Sequence, residues 1–160
     1  MRLMQNTRSD TRETYRERLA PGLWLLVTIA LAGPMVSLTL TPLDASVALI
    51  VGGAVSLVLV TLSITLSPTI RVADGVLYAG RAHIDVGWLG EPQEFRGEDA
   101  RARRTHEIAR DGWNLLRGGI DPVVVVPITD PADPVNSWTI SSRTPDRLAA
   151  AIRTARAERP

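Results

Sequence analysis

The sequence predicts a membrane α-helical hairpin followed by a small α+β domain, an antiparallel bent sheet or partial barrel with a C-terminal helix. Three observations predict it. Residues 19–40 and 43–66 are two apolar stretches without a basic residue, with Asp44 as their sole acid, at the break. Each meets the roughly 20 residues that a helix needs to cross a hydrocarbon layer. After Pro68 the pattern changes to short alternating or β-branched runs punctuated by Gly and Pro, the signature of strands. Near the end, Leu148, Ala149, Ile152 and Ala155 recur at helical spacing on one face. The chain therefore divides into a leader over residues 1–20, a hairpin over 21–66 with spans at 22–40 and 45–66, and an α+β domain over 67–160.

The leader carries Arg2, Arg8, Arg12, Arg16 and Arg18 against Asp10, Glu13 and Glu17. A basic leader before an apolar core also begins a secretory signal. The core is long for that, however, and a second apolar stretch of similar length follows, which favours a span. Pro42 and Asp44 break the two stretches, and Asp44 or Ser46 is placed to cap the second helix. So short a turn makes the helices antiparallel. No arginine lies in the turn, whereas five precede the first span and Arg71 and Arg81 follow the second. The positive-inside rule then puts both termini in the cytoplasm and the protein in the plasma membrane. Trp24 suits the interfacial aromatic belt on that side.

Ala30, Gly33 and Ser37 on the first helix and Ala48, Gly52 and Ser56 on the second are small residues at helical spacing. They fit close packing of the hairpin on itself, the preferred reading, or a homodimer seam. Pro34 kinks the first helix, and the carbonyl it leaves unbonded is within the means of a nearby Ser or Thr.

In the domain, residues 69–73 and 76–79 read as strands joined by the two-residue turn Asp74-Gly75. A third run follows at 83–86, and 88–95 is an interrupted fourth. Residues 97–104 are a short exposed helix or a loop, and 108–119 show no clear pattern. Residues 123–129 are β-branched and apolar, a strand buried on both faces. Asp130-Pro131-Ala132-Asp133-Pro134 is a turn, 137–142 the partner strand, and Thr144-Pro145 a helix start with Thr144 as N-cap.

Composition excludes more than it assigns. The chain has no cysteine, which removes disulfides, thiolate metal sites and Cys nucleophiles. All 18 basic residues are arginine, and the part after Leu66 balances thirteen of them with thirteen acids. That balance lacks the basic surplus of a nucleic-acid binder. His83 and His106, the only histidines, have no nucleophile motif or third ligand beside them, and an ordinary surface or packing role is the simpler reading. Asp121, Asp130 and Asp133 lack the spacing of a calcium loop, and Asp-Pro pairs serve turns. No catalytic residue, cofactor or metal is expected. The best site candidate is Arg101, Arg103 and Arg104, a basic run suited to a lipid headgroup, although Glu98, Asp99 and Glu107 offset its field. Trp88, Trp113 and Trp138 supply bulk to the core, with Trp138 foremost. Arg143 is expected to pair with an acid or cap a helix end.

Several of these motifs carry a resemblance. A basic leader and apolar hairpin lead into Ile70-Arg71-Val72-Ala73-Asp74-Gly75, then Asp130-Pro131-Ala132-Asp133-Pro134, and Trp138 through Ser142, Arg143 and Pro145. The chain resembles an actinobacterial two-span membrane-protein family known as domain of unknown function 3093. The resemblance implies a membrane location and no activity. The plan is also similar to bacterial pleckstrin-homology-like domains that follow a pair of spans, a likeness of fold alone. The expected role is a non-enzymatic anchored module, with membrane lipid around it and a protein or lipid partner or a second copy as its ligand. A structural or assembly subunit acting through the hairpin is the alternative.

Overall fold

The structure is a computed structural model that describes residues 13–105 and 112–158. Its first element is one that the sequence pattern hid. Strand β1 (Glu13–Arg18), inside the segment read as a leader, pairs antiparallel with β2 (Thr69–Ala73), Arg18 opposite Thr69. Between them lie three helices: α1 (Leu23–Ala30), α2 (Ala32–Leu40) and α3 (Ala45–Thr65). The helices thus stand where a tight turn joins strands in an ordinary β-hairpin.

Residues Leu23–Leu40 and Ala45–Thr65 are each long and apolar enough to cross a membrane, and only 6% and 11% of them are buried. Such exposure is opposite to that of a core helix in a water-soluble domain. Asp44 caps α3, accepting from the N–H groups of Ser46 and Val47 at 2.8 and 2.9 Å.

The small residues pack the helices against each other, as expected. Gly33 and Gly52 face one another so closely that a Cβ on Gly33 would strike Ser56 and the Gly52 carbonyl, and one on Gly52 would strike Ser37 and the Gly33 carbonyl. Ser37 Oγ donates to the Ala48 carbonyl at 2.9 Å, and Ser56 Oγ to the Ala30 carbonyl at 2.6 Å. The second bond answers the proline. Pro34 has no N–H to offer Ala30 four residues earlier, and a serine on the other helix supplies the donor. The helix breaks at Leu31, one turn before Pro34, into α1 and α2.

After β2 come β3 (Val76–Ala79) and β4 (Ala82–Asp85), giving a sheet ordered β1-β2-β3-β4. Asp74 and Gly75 both have positive φ, 51° and 73°, which is what a two-residue turn between twisted strands requires. A 3₁₀ turn (Val86–Trp88) leads to β5 (Gln93–Phe95) and α4 (Gly97–Thr105). Strands β6 (Gly112–Leu115), β7 (Val123–Pro127) and β8 (Ser137–Ser141) complete a second sheet ordered β5-β7-β8-β6. The sheets are antiparallel, as expected, in every strand pair but one. β6 runs parallel to β8, with Trp113 opposite Trp138, because the chain crosses over before β6 instead of turning tightly.

Helix α5 (Pro145–Ala157) covers both sheets and buries Leu148, Ala149, Ile152 and Ala155, the stripe that the spacing predicts. They join Ile70, Val72, Leu77, Val124, Val126, Trp138 and Ile140 in one core. Trp113 is partly buried against Trp138, ring centroids 4.5 Å apart. Trp88 departs from expectation. It is 47% exposed, because the 3₁₀ turn rotates it outward while Val86 and Leu89 take the buried positions.

Candidate functional site

The segment that joins β8 to α5 organises the polar chemistry of the domain. Ser142 is fully buried, and Pro145 opens α5. Thr144 occupies the N-cap position but does not cap, because its hydroxyl meets Tyr15 Oη at 2.9 Å. Ser142 Oγ accepts from the Thr144 N–H at 3.1 Å and stabilises the turn in its place.

Glu17 on β1 is the centre of this network. Its Oε2 accepts from Tyr15 Oη and from Ser142 Oγ, each at 2.6 Å, and its Oε1 accepts from the Arg143 N–H at 2.8 Å. A hydroxyl has one proton, so Tyr15 and Ser142, both donating to Glu17, have none for each other. Tyr15 therefore accepts from Thr144. Burial pushes the Tyr15 phenol up to about 12, helped by the Glu17 carboxylate that holds its proton. The Arg143 guanidinium donates to the carbonyls of Arg18 and Ala20, just before α1. The sequence suggested an acid or a helix end as its partner; among the described residues the guanidinium instead binds these two carbonyls. It straps α5 to the strand that leads into the hairpin.

Two further arginines tie the hairpin base to the sheets. Arg18 donates to the Ile64 and Thr65 carbonyls at 2.7 and 3.3 Å. Arg117 approaches the Ser63 carbonyl and Ser67 Oγ at 3.4 and 3.5 Å. A cation over the last carbonyls of a helix complements the helix dipole.

Beside the Glu17 network an open groove of about 690 Å³ runs between residues 14–17 of β1 and one face of α5, where Arg147, Ala151 and Thr154 line it. Arg16 and Arg143 also line it. A second open groove, about 750 Å³, lies where Leu66 and Pro68 meet Arg81, Trp113 and Leu115.

The other predicted residues fall elsewhere. Asp74 and Gly75 form the β2–β3 turn. Asp130 and Asp133 accept from the N–H groups of Ala132 and Val135, so the turn through Pro131 and Pro134 is built on two Asx bonds. Asp121 lies at the opposite end of β7, 3.2 Å from Arg104. Among the described residues no group of three His, Cys, Asp or Glu is placed to hold a metal ion. His83 is exposed and lies beside the Tyr78 ring, while Asp85 accepts from the Gly87 N–H. His106 lies outside the described residues.

Arg101, Arg103 and Arg104 do not converge. Arg104 turns inward to the carbonyls of Ile120 and Arg117, at 2.6 and 3.2 Å. Arg103 stacks over Phe95 at 4.6 Å, and Arg101 is exposed. Arg103 lies on a different helix face from Arg101, and Arg104, one turn after Arg101, is drawn off by its carbonyl acceptors, which splits a run that is contiguous in sequence. Sequence reasoning missed Tyr15, Arg16, Glu17 and Arg147. Their strand and helix meet only through the fold, and Tyr15 amid charged residues was the only local signal.

The fold and site define a class: a two-sheet domain with a C-terminal helix whose first two strands are separated by a pair of apolar helices. The chain belongs to the family described as protein of unknown function (DUF3093), which matches residues 14–152. That match begins in β1 and ends in α5, so it takes in both walls of the β1–α5 groove except Thr154. No curated protein and no solved structure matches the chain.

Proposed function

We propose that this is a non-enzymatic two-span membrane protein that holds a pleckstrin-homology-like domain directly on the cytoplasmic face of the plasma membrane and presents the β1–α5 groove to a protein partner. The observation that carries this reading is the insertion of the helical pair between β1 and β2, with Arg18 and Arg117 on the last carbonyls of α3. A domain attached by one end swings on its linker. One threaded by two strands, with only residues 19–22 and 66–68 between strand and helix, keeps a fixed height and orientation. The exposed apolar surface of the helices supports the membrane reading, since water is a poor solvent for side chains such as Leu23 and Trp24, 79% and 82% exposed. Two sheets closed by a C-terminal helix support the pleckstrin-homology-like reading. Glu17 supports a binding role over a catalytic one. Both its oxygens are engaged by donors, which leaves a poor general base.

The chain has no cysteine, so single-cysteine variants report topology directly. In intact cells a membrane-impermeant maleimide is expected to label Thr41→Cys, in the α2–α3 turn, and to leave Glu98→Cys unlabelled until lysis. Alkaline carbonate should leave the protein in the membrane pellet. Labelling at Glu98→Cys before lysis, or release by carbonate, overturns the reading.

The assembly-subunit alternative is favoured by one observation. Gly53 faces open space on the outer side of α3, beside an open groove of about 480 Å³ that Pro34, Leu38 and Leu49 also line. That alternative requires Gly53→Leu to dissociate an oligomer in detergent, and an unchanged mass rules it out.

A further inference from the structure

We propose that the β1–α5 groove binds an extended acidic segment of the partner protein, which adds to β1 as a fifth strand of its sheet. This rests on the reading above that the domain serves a protein partner, and it names the chemistry of that partner.

Backbone comes first. β1 is the terminal strand of its sheet, so alternate N–H and C=O groups face away from β2. Among the described residues no backbone group bonds to that outer side of residues 14–17. These four residues offer a ladder about 13 Å long at the usual rise. Space is the second observation. The facing stripe of α5 presents Ala150, Ala151 and Thr154, short side chains that leave the groove beside the strand unfilled.

Charge is the third. Arg16, Arg143 and Arg147 line the groove, and of the described acids beside it Glu17 and Asp146 are committed. Glu17 is held by Tyr15, Ser142 and the Arg143 N–H, and Asp146 pairs with Arg96 at 2.8 Å. Glu13 approaches Arg16 only at 3.9 Å, on the exposed side. Cations beside a free strand edge suit an acidic strand, since the edge supplies affinity and the side chains supply selectivity. The chain's own leader is an unsuitable occupant, because residues 1–12 carry Arg2, Arg8 and Arg12 against Asp10. A lipid headgroup would use the arginines and leave the strand edge unused.

The test uses the full chain in neutral detergent micelles and a displayed library of random dodecapeptides. Selected peptides are expected to be rich in Asp and Glu alternating with β-branched residues. The best of them, synthesised, should slow deuterium exchange at residues 14–17 and leave β4, the other edge of that sheet, unchanged. Arg147→Glu, at an exposed helical position, should weaken it at least tenfold, and a charge-swapped peptide should recover binding to that variant. Peptides without acidic enrichment, indifference to Arg147→Glu, or protection appearing elsewhere each overturn the proposal. So does protection of residues 14–17 by phosphatidylglycerol micelles alone, which would assign the groove to lipid. Failure here leaves the labelling result standing, and failure of the labelling leaves this one, because peptide selection in micelles is blind to membrane sidedness.

Discussion

The helical pair and the sheet domain are both apolar and are built on opposite plans. In the domain the large side chains are inside: Ile70, Leu77, Ile140, Leu148 and Ile152 are fully buried. In the helical pair the large side chains are outside, and the buried residues are Gly33, Ala48 and Gly52. Apolar burial in water stabilises the first by about 1.5–3 kcal/mol for each large side chain. The second has no such source of cohesion if lipid surrounds it, and it relies instead on close backbone contact and hydrogen bonds across the seam. Under the membrane reading one chain has to satisfy two solvents, and the arginines at residues 18, 117 and 143 sit where the plans meet.

The comparison is broken most directly by making one truncation in both places. Leu148→Ala removes a fully buried side chain from the domain and should cost about 2–5 kcal/mol. Leu57→Ala, at a position 69% exposed on α3, should cost almost nothing in a detergent micelle. Denaturant unfolding followed by the fluorescence of the Trp113–Trp138 pair measures both. Equal costs would mean that the outer face of α3 is covered by protein.

Glycine sharpens the contrast from the other side. Adding bulk should harm the hairpin where removing it does not. Gly52→Leu drives a side chain into Ser37 and the Gly33 backbone and should cost about 1–3 kcal/mol, whereas a Cβ on Gly53 meets nothing within 4 Å and Gly53→Leu should leave hairpin stability unchanged. Cross-linking of a cysteine pair at residues 37 and 48 reports whether the seam has opened.

These two regions also differed in how far the sequence revealed them. The helices were legible because length and apolarity are local properties, and so was the answer of a serine to Pro34. So too were the Asp74-Gly75 turn, β3, β7, β8 and the buried stripe of α5, each written in a period of two or 3.6 residues. β1 was not, because an edge strand with exposed charged side chains has no apolar alternation to show. Its partner β2 lies 50 residues on, across the helical pair. The parallel pairing of β6 with β8 was hidden because the four residues of β6, Gly-Trp-Asn-Leu, are too few to show a period. The groove was illegible because its walls, residues 14–17 and 143–154, are distant in sequence and join only when β1 is placed. The arginine run at 101–104 was the converse case. It was conspicuous in sequence and was dispersed by the helix that carries it.

The strap between the two regions should respond to pH. Below pH 10 the Tyr15 phenol is protonated whether the chain is folded or unfolded. From there to about 12 the unfolded chain gives up the proton while the folded chain keeps it, so stability falls as pH rises through that window. Tyr15 is half-buried, and screening holds the loss to about 1–2 kcal/mol. Tyr15→Phe should abolish that component of the pH dependence. It should also lower stability at neutral pH by about 1 kcal/mol, since Glu17 then loses a donor. An unchanged alkaline profile in the variant would place the titration elsewhere.

The smallest effect tests the seam at a single bond. Ser56 Oγ serves the Ala30 carbonyl that Pro34 leaves without a helical donor. Ser56→Ala should cost about 0.6 kcal/mol, the usual worth of an interhelical bond in a membrane protein. Pro34→Ala restores an N–H that reaches the same carbonyl within the helix, so Ser56→Ala made on that background should cost less. A double-mutant cycle at the two positions, read by unfolding in detergent, should therefore show coupling. Strict additivity would mean that the serine bonds Ala30 without relieving the proline. The coupling is expected only because the helices pack through small residues. Were Gly33 and Gly52 large, Ser56 would stand too far from α1 to reach that oxygen, and the break at Leu31 would leave a bare carbonyl in the seam.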